Sequence, residues 1–297
     1  MKRSTGDKIF HTLVYTLLVL LAFVCFYPFW NSIVISFNLG SDTELGGITF
    51  WPRSFTLQNY SIVFQDGRLL DAFYISVLRT LIGTSVAILC TAIFSFGMSR
   101  KNLIGRKAYM LFCVFTMYFS GGLIPTYMLI RNMHLLDSFW VLVIPGIINV
   151  WNMIVFISFF RDLPDGLEES ARMDGCSNFG VLFRIVLPLS GPIIATLSLF
   201  TAVSLWNDWF YAGLYITKSE LLPIQALLQQ ILNSNIMTTE LLNLNSAAQD
   251  RIAAMQSITT KSLSMATMIV AVLPIMFTYP FVQKYFVKGV LVGSLKG

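Results

Sequence analysis

The sequence predicts an all-α, polytopic membrane protein with six transmembrane helices and both termini on the cytoplasmic side. Charge is scarce: 12% of the 297 residues are charged and 56% are hydrophobic, where an ordinary soluble domain carries roughly 25% charge. The mean hydropathy is +0.70. Apolar runs of the roughly 20 residues that a helix needs to cross hydrocarbon recur along the chain. Backbone polar groups in lipid must be satisfied internally, so such runs read as helices.

The first run, 11–37, is longer than the roughly 7–15 residue core of a signal peptide and lacks a small-residue cleavage site. The second, 72–98, carries Arg79 near one end, a place from which its head can snorkel to the interface. A functional role at membrane depth is the alternative. Arg100, Lys101, Arg106 and Lys107 form a basic turn before the third run, 108–130, and a short loop leads to the fourth, 139–160. The fifth, 187–215, is entered through Pro188 and Pro192, and the sixth spans 262–286. With the amino terminus inside, thirteen lysines and arginines fall in cytoplasmic segments and six in the longer outer ones, the positive-inside pattern. The regions are then a cytoplasmic amino terminus 1–10, a spanning domain 11–286, and a cytoplasmic tail 287–297. Within the spanning domain, 161–186 is cytoplasmic and loops 38–71 and 217–261 are external.

Such a composition excludes a soluble enzyme, a disordered tail and a nucleic-acid binder. The net charge of +5 belongs to cytoplasmic loops of a protein partnered by the bilayer. Cys25, Cys90 and Cys113 sit in apolar runs and Cys176 in a basic loop, without CxxC spacing, so neither a disulfide framework nor a metal site is expected. HExxH, GxxxxGK[ST] and GxSxG are absent.

The segment 161–186 is the most informative. Asp165 is positioned to cap a short helix with Glu168 completing a capping box, and Gly175 suits a left-handed stop. A second helix starts at Ser177 and keeps helical spacing through Phe179, Leu182, Phe183 and Val186 until Pro188. Leu167, Ala171 and Met173 are available for packing. Such a helix-turn-helix is either a knob that another protein grips or a loop that caps the bundle.

The spaced pattern Glu169-Ser170-Ala171, Gly175, Ile185 and Leu187-Pro188 resembles the EAA signature of the permease subunits of ABC importers, with Ser170 where alanine is usual. Trp206-Asn207-Asp208-Trp209-Phe210, Leu222-Pro223, Leu273-Pro274, Phe55-Thr56-Leu57-Gln58-Asn59-Tyr60 and the ending from Gln283 to Gly297 are similar to the carbohydrate branch, the six-span partner of maltose-type importers. Gly121-Gly122-Leu123-Ile124-Pro125-Thr126 resembles the complex-oligosaccharide subgroup.

That resemblance implies the type I permease fold in a bacterial cell membrane. It also implies a second permease subunit, two ATPase subunits that bind ATP and Mg, and an extracytoplasmic sugar-binding protein. No cofactor is implied on this chain. Glu168, Glu169, Ser170, Ala171, Asp174, Gly175, Ile185, Leu187 and Pro188 would form the ATPase-coupling element. In the outer loop, Pro223, Ile224, Leu227, Leu228, Ile231 and Leu232 have the spacing of an amphipathic helix that could meet the binding protein. Aromatic faces stack on sugars and amides bond hydroxyls, so Asn149, Trp151, Asn152, Trp206, Asn207 and Trp209 are candidates for the substrate path. Asp208 joins them as an acid in an apolar run. The rival classes are a polytopic membrane enzyme and a secondary transporter. Against the first, His11 and His134 lie near span ends and no acidic pair sits mid-span. The second usually needs inverted repeats and more spans.

Overall fold

The computed structural model describes residues 5–65, 67–233 and 261–277. In chain order the helices are α1 (Thr5–Ser36), α2 (Gly40–Glu44), α3 (Gln58–Gln65), α4 (Gly67–Ser99), α5 (Arg106–Tyr118) and α6 (Leu123–Asn132). After the 3₁₀ turns Phe139–Leu142 and Ile144–Gly146 come α7 (Val150–Arg161) and α8 (Asp165–Met173). They are followed by α9 (Asn178–Leu189), α10 (Gly191–Asn207), α11 (Phe210–Tyr215), α12 (224–233) and α13 (Lys261–Phe277). Among the described residues, extended pairing is limited to one isolated bridge between Asn38 and Phe55.

α1 and α4 are each long and apolar enough to cross a membrane alone. The next three expected spans are bent pairs: α5 and α6 meet at 111°, Phe139–Gly146 and α7 at 49°, and α9 and α10 at 82°. The breaks have local causes. Gly122 adopts φ +90°, a conformation closed to most side chains, and Pro125 follows in the first turn of α6. Pro145 and Gly146 interrupt the fourth run. At the third break, Ser190 ends α9 and Pro192 opens α10. The fifth run also breaks again, because Asp208 is extended and α11 starts anew at Phe210. The sixth run is described through Phe277, and the tail beyond it and the loop 234–260 lie outside the described residues.

The described residues form two compact units, those of Met1–Leu69 with Leu228–Leu273, and those of Leu70–Leu227 with Pro274–Gly297. In the first, the apolar face of α1 is open along most of its length. Its end is tied down by amides. Asn59 is buried and donates to the carbonyls of Ser36 and Asn38, at 2.9 Å each, while its own oxygen accepts from Ser262 at 3.3 Å. This gives the Phe55 to Tyr60 motif a structural role: its asparagine cross-links α1, the following loop and α13. Asn38 and Arg53 both donate to the Asp42 carboxylate, and these bonds, Asn38 first, hold its pKa below the usual value.

In the second unit, α4, α7, α8, α9 and α10 share one apolar core. It consists of Ile88, Ala92, Phe96, Phe156, Phe160, Ala171, Val181, Leu182, Val186 and Leu197. α4 and α10 approach closely at Gly83, where an added Cβ would lie 2.8 Å from a Leu205 methyl. The outer-loop segment has the expected helix, with Ile224, Leu227 and Leu228 buried.

Arg79 corrects the snorkelling expectation. It is 4% exposed and its guanidinium pairs with the Asp208 carboxylate. It also donates to the carbonyls of Asp208 at 3.0 Å and Leu142 at 3.3 Å. A charge that a lone helix would have to carry to the interface is instead neutralised inside the unit.

Candidate functional site

The turn between α7 and α10 is built as a rigid corner. α8 ends in a Schellman motif: Gly175, at φ +80°, donates its N–H to the Arg172 carbonyl at 3.0 Å, and Cys176 donates to Ala171 at 2.9 Å. Ser177 then caps α9, its hydroxyl accepting from the Gly180 N–H at 3.2 Å. The start of α8 differs from the sequence expectation. Asp165 is already the first helical residue, the cap position falls to Pro164, and no side-chain cap forms there. Glu168 turns instead to Arg100 at the end of α4 and forms an ion pair. The Arg100 guanidinium also lies 4.0 Å over the Phe96 ring and donates to the Phe96 carbonyl at 3.3 Å.

Inside α9 the ladder widens to a π turn over Leu182–Val186, with the Leu187 N–H reaching back to the Leu182 carbonyl. Pro188 follows at once and offers no N–H of its own. Ser190 is fully buried, and its hydroxyl donates to the Val186 carbonyl at 2.6 Å. Its carbonyl in turn accepts from Ile194 at 2.9 Å, starting α10.

Most of the coupling candidates gather here, with distinct environments. Ala171 is buried in the shared core, and Ile185 and Leu187 pack against it. Glu169, Ser170, Asp174, Gly175 and Pro188 are exposed. Leu167 and Met173, expected to pack inward with Ala171, face out instead, and Met173 is 88% exposed. Phe179 is also exposed. The inner face of the corner is thus welded to four other helices, while its outer edge presents apolar and acidic side chains. Glu168, Glu169, Arg100, Arg161 and Arg172 line an open cleft of about 940 Å³ beside it.

The substrate-path candidates separate into two kinds. Trp206 is 7% exposed and meets Phe73 edge-on, so it is a packing residue. Asn152 is also buried and donates to Thr201 at 3.2 Å. Both Asp208 oxygens are engaged, one with Arg79 and the other accepting from the Tyr211 N–H at 3.1 Å. In contrast Asn149, Trp151, Asn207 and Trp209 are exposed, although the Asn149 oxygen also caps α7 by accepting from the Asn152 N–H at 2.9 Å. Trp151 meets Phe200 edge-on, with centroids 6.0 to 6.2 Å apart on the scale of a packed aromatic pair and measured at 6.1 Å. Trp151, Ile154 and Ser158 on α7, and Phe200, Val203, Ser204 and Asn207 on α10, are open at helical spacing.

The sequence gave no signal for Asp137. In its left-handed conformation, φ 54°, its carboxylate accepts from the Thr217 N–H at 2.5 Å, the Thr217 hydroxyl at 2.7 Å and the Lys218 N–H at 3.1 Å. The Thr217 bonds, chiefly that from its hydroxyl, hold the Asp137 pKa below the usual carboxylate value. Among the described residues, no three His, Cys, Asp or Glu side chains gather where they could hold a metal ion.

Known proteins share this architecture. A permease protein of the polygalacturonan/rhamnogalacturonan transport system of Bacillus subtilis, YtcP, is 39% identical over 292 residues, covering 98% of this chain and 99% of its own. Protein LplC of the same organism is 39% identical over 267 residues, covering 89% and 88%. The crystal structure of a bacterial ABC transporter involved in the import of the acidic polysaccharide alginate superposes with a TM-score of 0.85 at 26% identity, covering 96% of this chain and 99% of that one. Residues 1–292 match the family described as binding-protein-dependent transport system inner membrane component. The membrane-type helices, the welded corner and these likenesses converge: this chain is a transport permease and belongs to that family.

Proposed function

We propose that the chain is one permease subunit of an ATP-driven importer for oligosaccharides, crossing a bacterial cell membrane six times with both termini in the cytoplasm. It forms half of the path with a second permease, two ATPase subunits bind ATP and Mg beneath, and an external binding protein delivers the sugar. α8 and the start of α9 dock into an ATPase subunit through Leu167, Glu169, Met173 and Phe179. The observation that carries this reading is the contrast between the two faces of the corner: Ala171 is buried in a core common to five helices while Met173 stands open. A pull on the open edge is then passed to α4, α7 and α10 without slack, because interiors packed to crystal-like density transmit strain.

On the path itself, Trp151, Phe200 and Asn207 offer the stacking and amide groups a sugar needs, with Asn149 and Trp209 beside them in the chemistry, while Asn152, Trp206 and Asp208 hold the shape of the wall. The relatives' names point to acidic plant and algal polysaccharides, so uronate-bearing oligosaccharides are the first class to test. A tagged chain purified with its operon partners should retain two nucleotide-binding subunits and a second permease. Met173→Asp should lose the nucleotide-binding subunits yet keep the second permease. Sugar uptake into liposomes by the purified chain alone would overturn the reading.

A further inference from the structure

We propose that the start of α5 and the loop before it hold an anionic phospholipid of the cytoplasmic leaflet. A hollow of about 960 Å³ opens here. Four cations line it, Lys101, Arg106, Lys107 and Arg161, and no acidic side chain does. The rest of its wall is apolar: Leu103, Met110, Leu111 and Val114 among others. Charge and apolar surface are therefore segregated within one cavity, the division that a phosphate headgroup and its acyl chains require.

The construction of the hollow supports that occupant. Leu103 and Met110 pack against Met98, Met153 and Ile157, which fixes the apolar floor to α4 and α7. Leu111 is 71% exposed, and α5 has no buried residue, so an acyl chain can lie along it. Arg106 and Lys107 occupy the first turn of α5, which has no acidic residue. Their charges add to the positive end of the helix dipole instead of offsetting it, so an anion between them relieves repulsion. Basic pockets between spanning helices on the cytoplasmic side are suited to anionic headgroups. The neighbouring cleft differs, because Glu168 and Glu169 enter its lining. A headgroup in the hollow would sit beside Arg161, at the end of α7 where the chain turns toward α8, and so would touch the base of the corner.

The inference rests on the cytoplasmic placement of 161–186. Its test uses the whole transporter, purified with its partner subunits and stripped of lipid in detergent. Vesicles of phosphatidylcholine with 30 mol% phosphatidylglycerol, compared at about that proportion with phosphatidylcholine alone, should raise its melting temperature, and native mass spectrometry should find phosphatidylglycerol retained. Arg106→Gln with Lys107→Gln should weaken retention about tenfold or more, from the loss of two surface charges facing an anionic lipid. Leu111→Gln should weaken it too, while Lys8→Gln on α1 should not. Equal retention in the double variant would overturn the site. Protection by inorganic phosphate equal to that by lipid, with Leu111→Gln inert, would overturn the lipid. Labelling of Lys107→Cys, in a chain with its four cysteines replaced, by an impermeant maleimide added outside intact cells would instead show that the orientation is wrong.

Discussion

Removing the Asp208 charge should destabilise the second unit by about 3 kcal/mol. The estimate follows from what surrounds Arg79. Its side chain is 4% exposed and that of Asp208 20%, so the pair is largely withdrawn from solvent. Breaking a buried pair from one side costs about 3–5 kcal/mol, because it strands the other charge. The lower end applies here, since two carbonyls continue to accept from the guanidinium. Asp208→Asn isolates the charge, because asparagine keeps an oxygen for the Tyr211 N–H. In the double variant Arg79→Met with Asp208→Asn no charge is stranded, and the loss should be smaller than the sum of the single losses by about 2 kcal/mol. The four free cysteines suit a thiol-reactive dye during heating of the detergent-purified transporter. At roughly 2–4 °C per kcal/mol, the single variant should melt about 6–12 °C lower. Asp208→Asn melting with the wild type, or losses that simply add, would refute the reasoning.

Gly175→Ala meets no neighbour within 4 Å, but its φ of +80° carries a strain of about 1–2 kcal/mol for a side-chain-bearing residue. It should loosen the α8 corner, seen as faster hydrogen exchange at Cys176, with unchanged exchange in α4. Gly83→Ala needs only the Leu205 methyl to move, whereas Gly83→Val should cost about 1–3 kcal/mol by overpacking, read as lower thermal stability. The Asp137 clip has a pH signature. Its folded pKa is depressed, so its contribution is fully present above the ordinary value of 3.8 and is lost as pH falls through the depressed one. Exchange at Thr217 and Lys218, corrected for intrinsic rate, should stay flat from about pH 8 to pH 5 and rise in Asp137→Asn; a rise between those pH values in the wild type would count against the clip.

What could be read from the chain, and what could not, follows from the range of the forces involved. The corner was legible because its signals are local: Gly175 for the left-handed stop, Ser177 for the cap, and helical spacing of Leu182 and Val186. The breaks at Gly122 and Ser190 were hidden, since apolar composition runs through them without interruption. The ion pairs could not be read, for Arg79 and Asp208 are separated by 129 positions and Arg100 and Glu168 by 68. Side-chain chemistry marked Trp206 and Trp151 alike as sugar candidates. Only packing distinguishes them, the first at 7% exposure and the second at 49%.

The π turn in α9 sets a counting rule for this part of the chain. It holds one more residue than an α-helical path between the same ends would need. Deleting a single residue between Leu182 and Val186 would let the ladder close as regular α-helix, which taken alone is the better hydrogen-bonded form. Everything on one side of the deletion would then rotate by about 100° relative to the other. The face bearing Leu182 could stay in the core only if Pro188 and the Ser190 bend pointed elsewhere. Length, as much as residue identity, is therefore under constraint here: substitutions can be absorbed across these five positions, but insertions and deletions cannot.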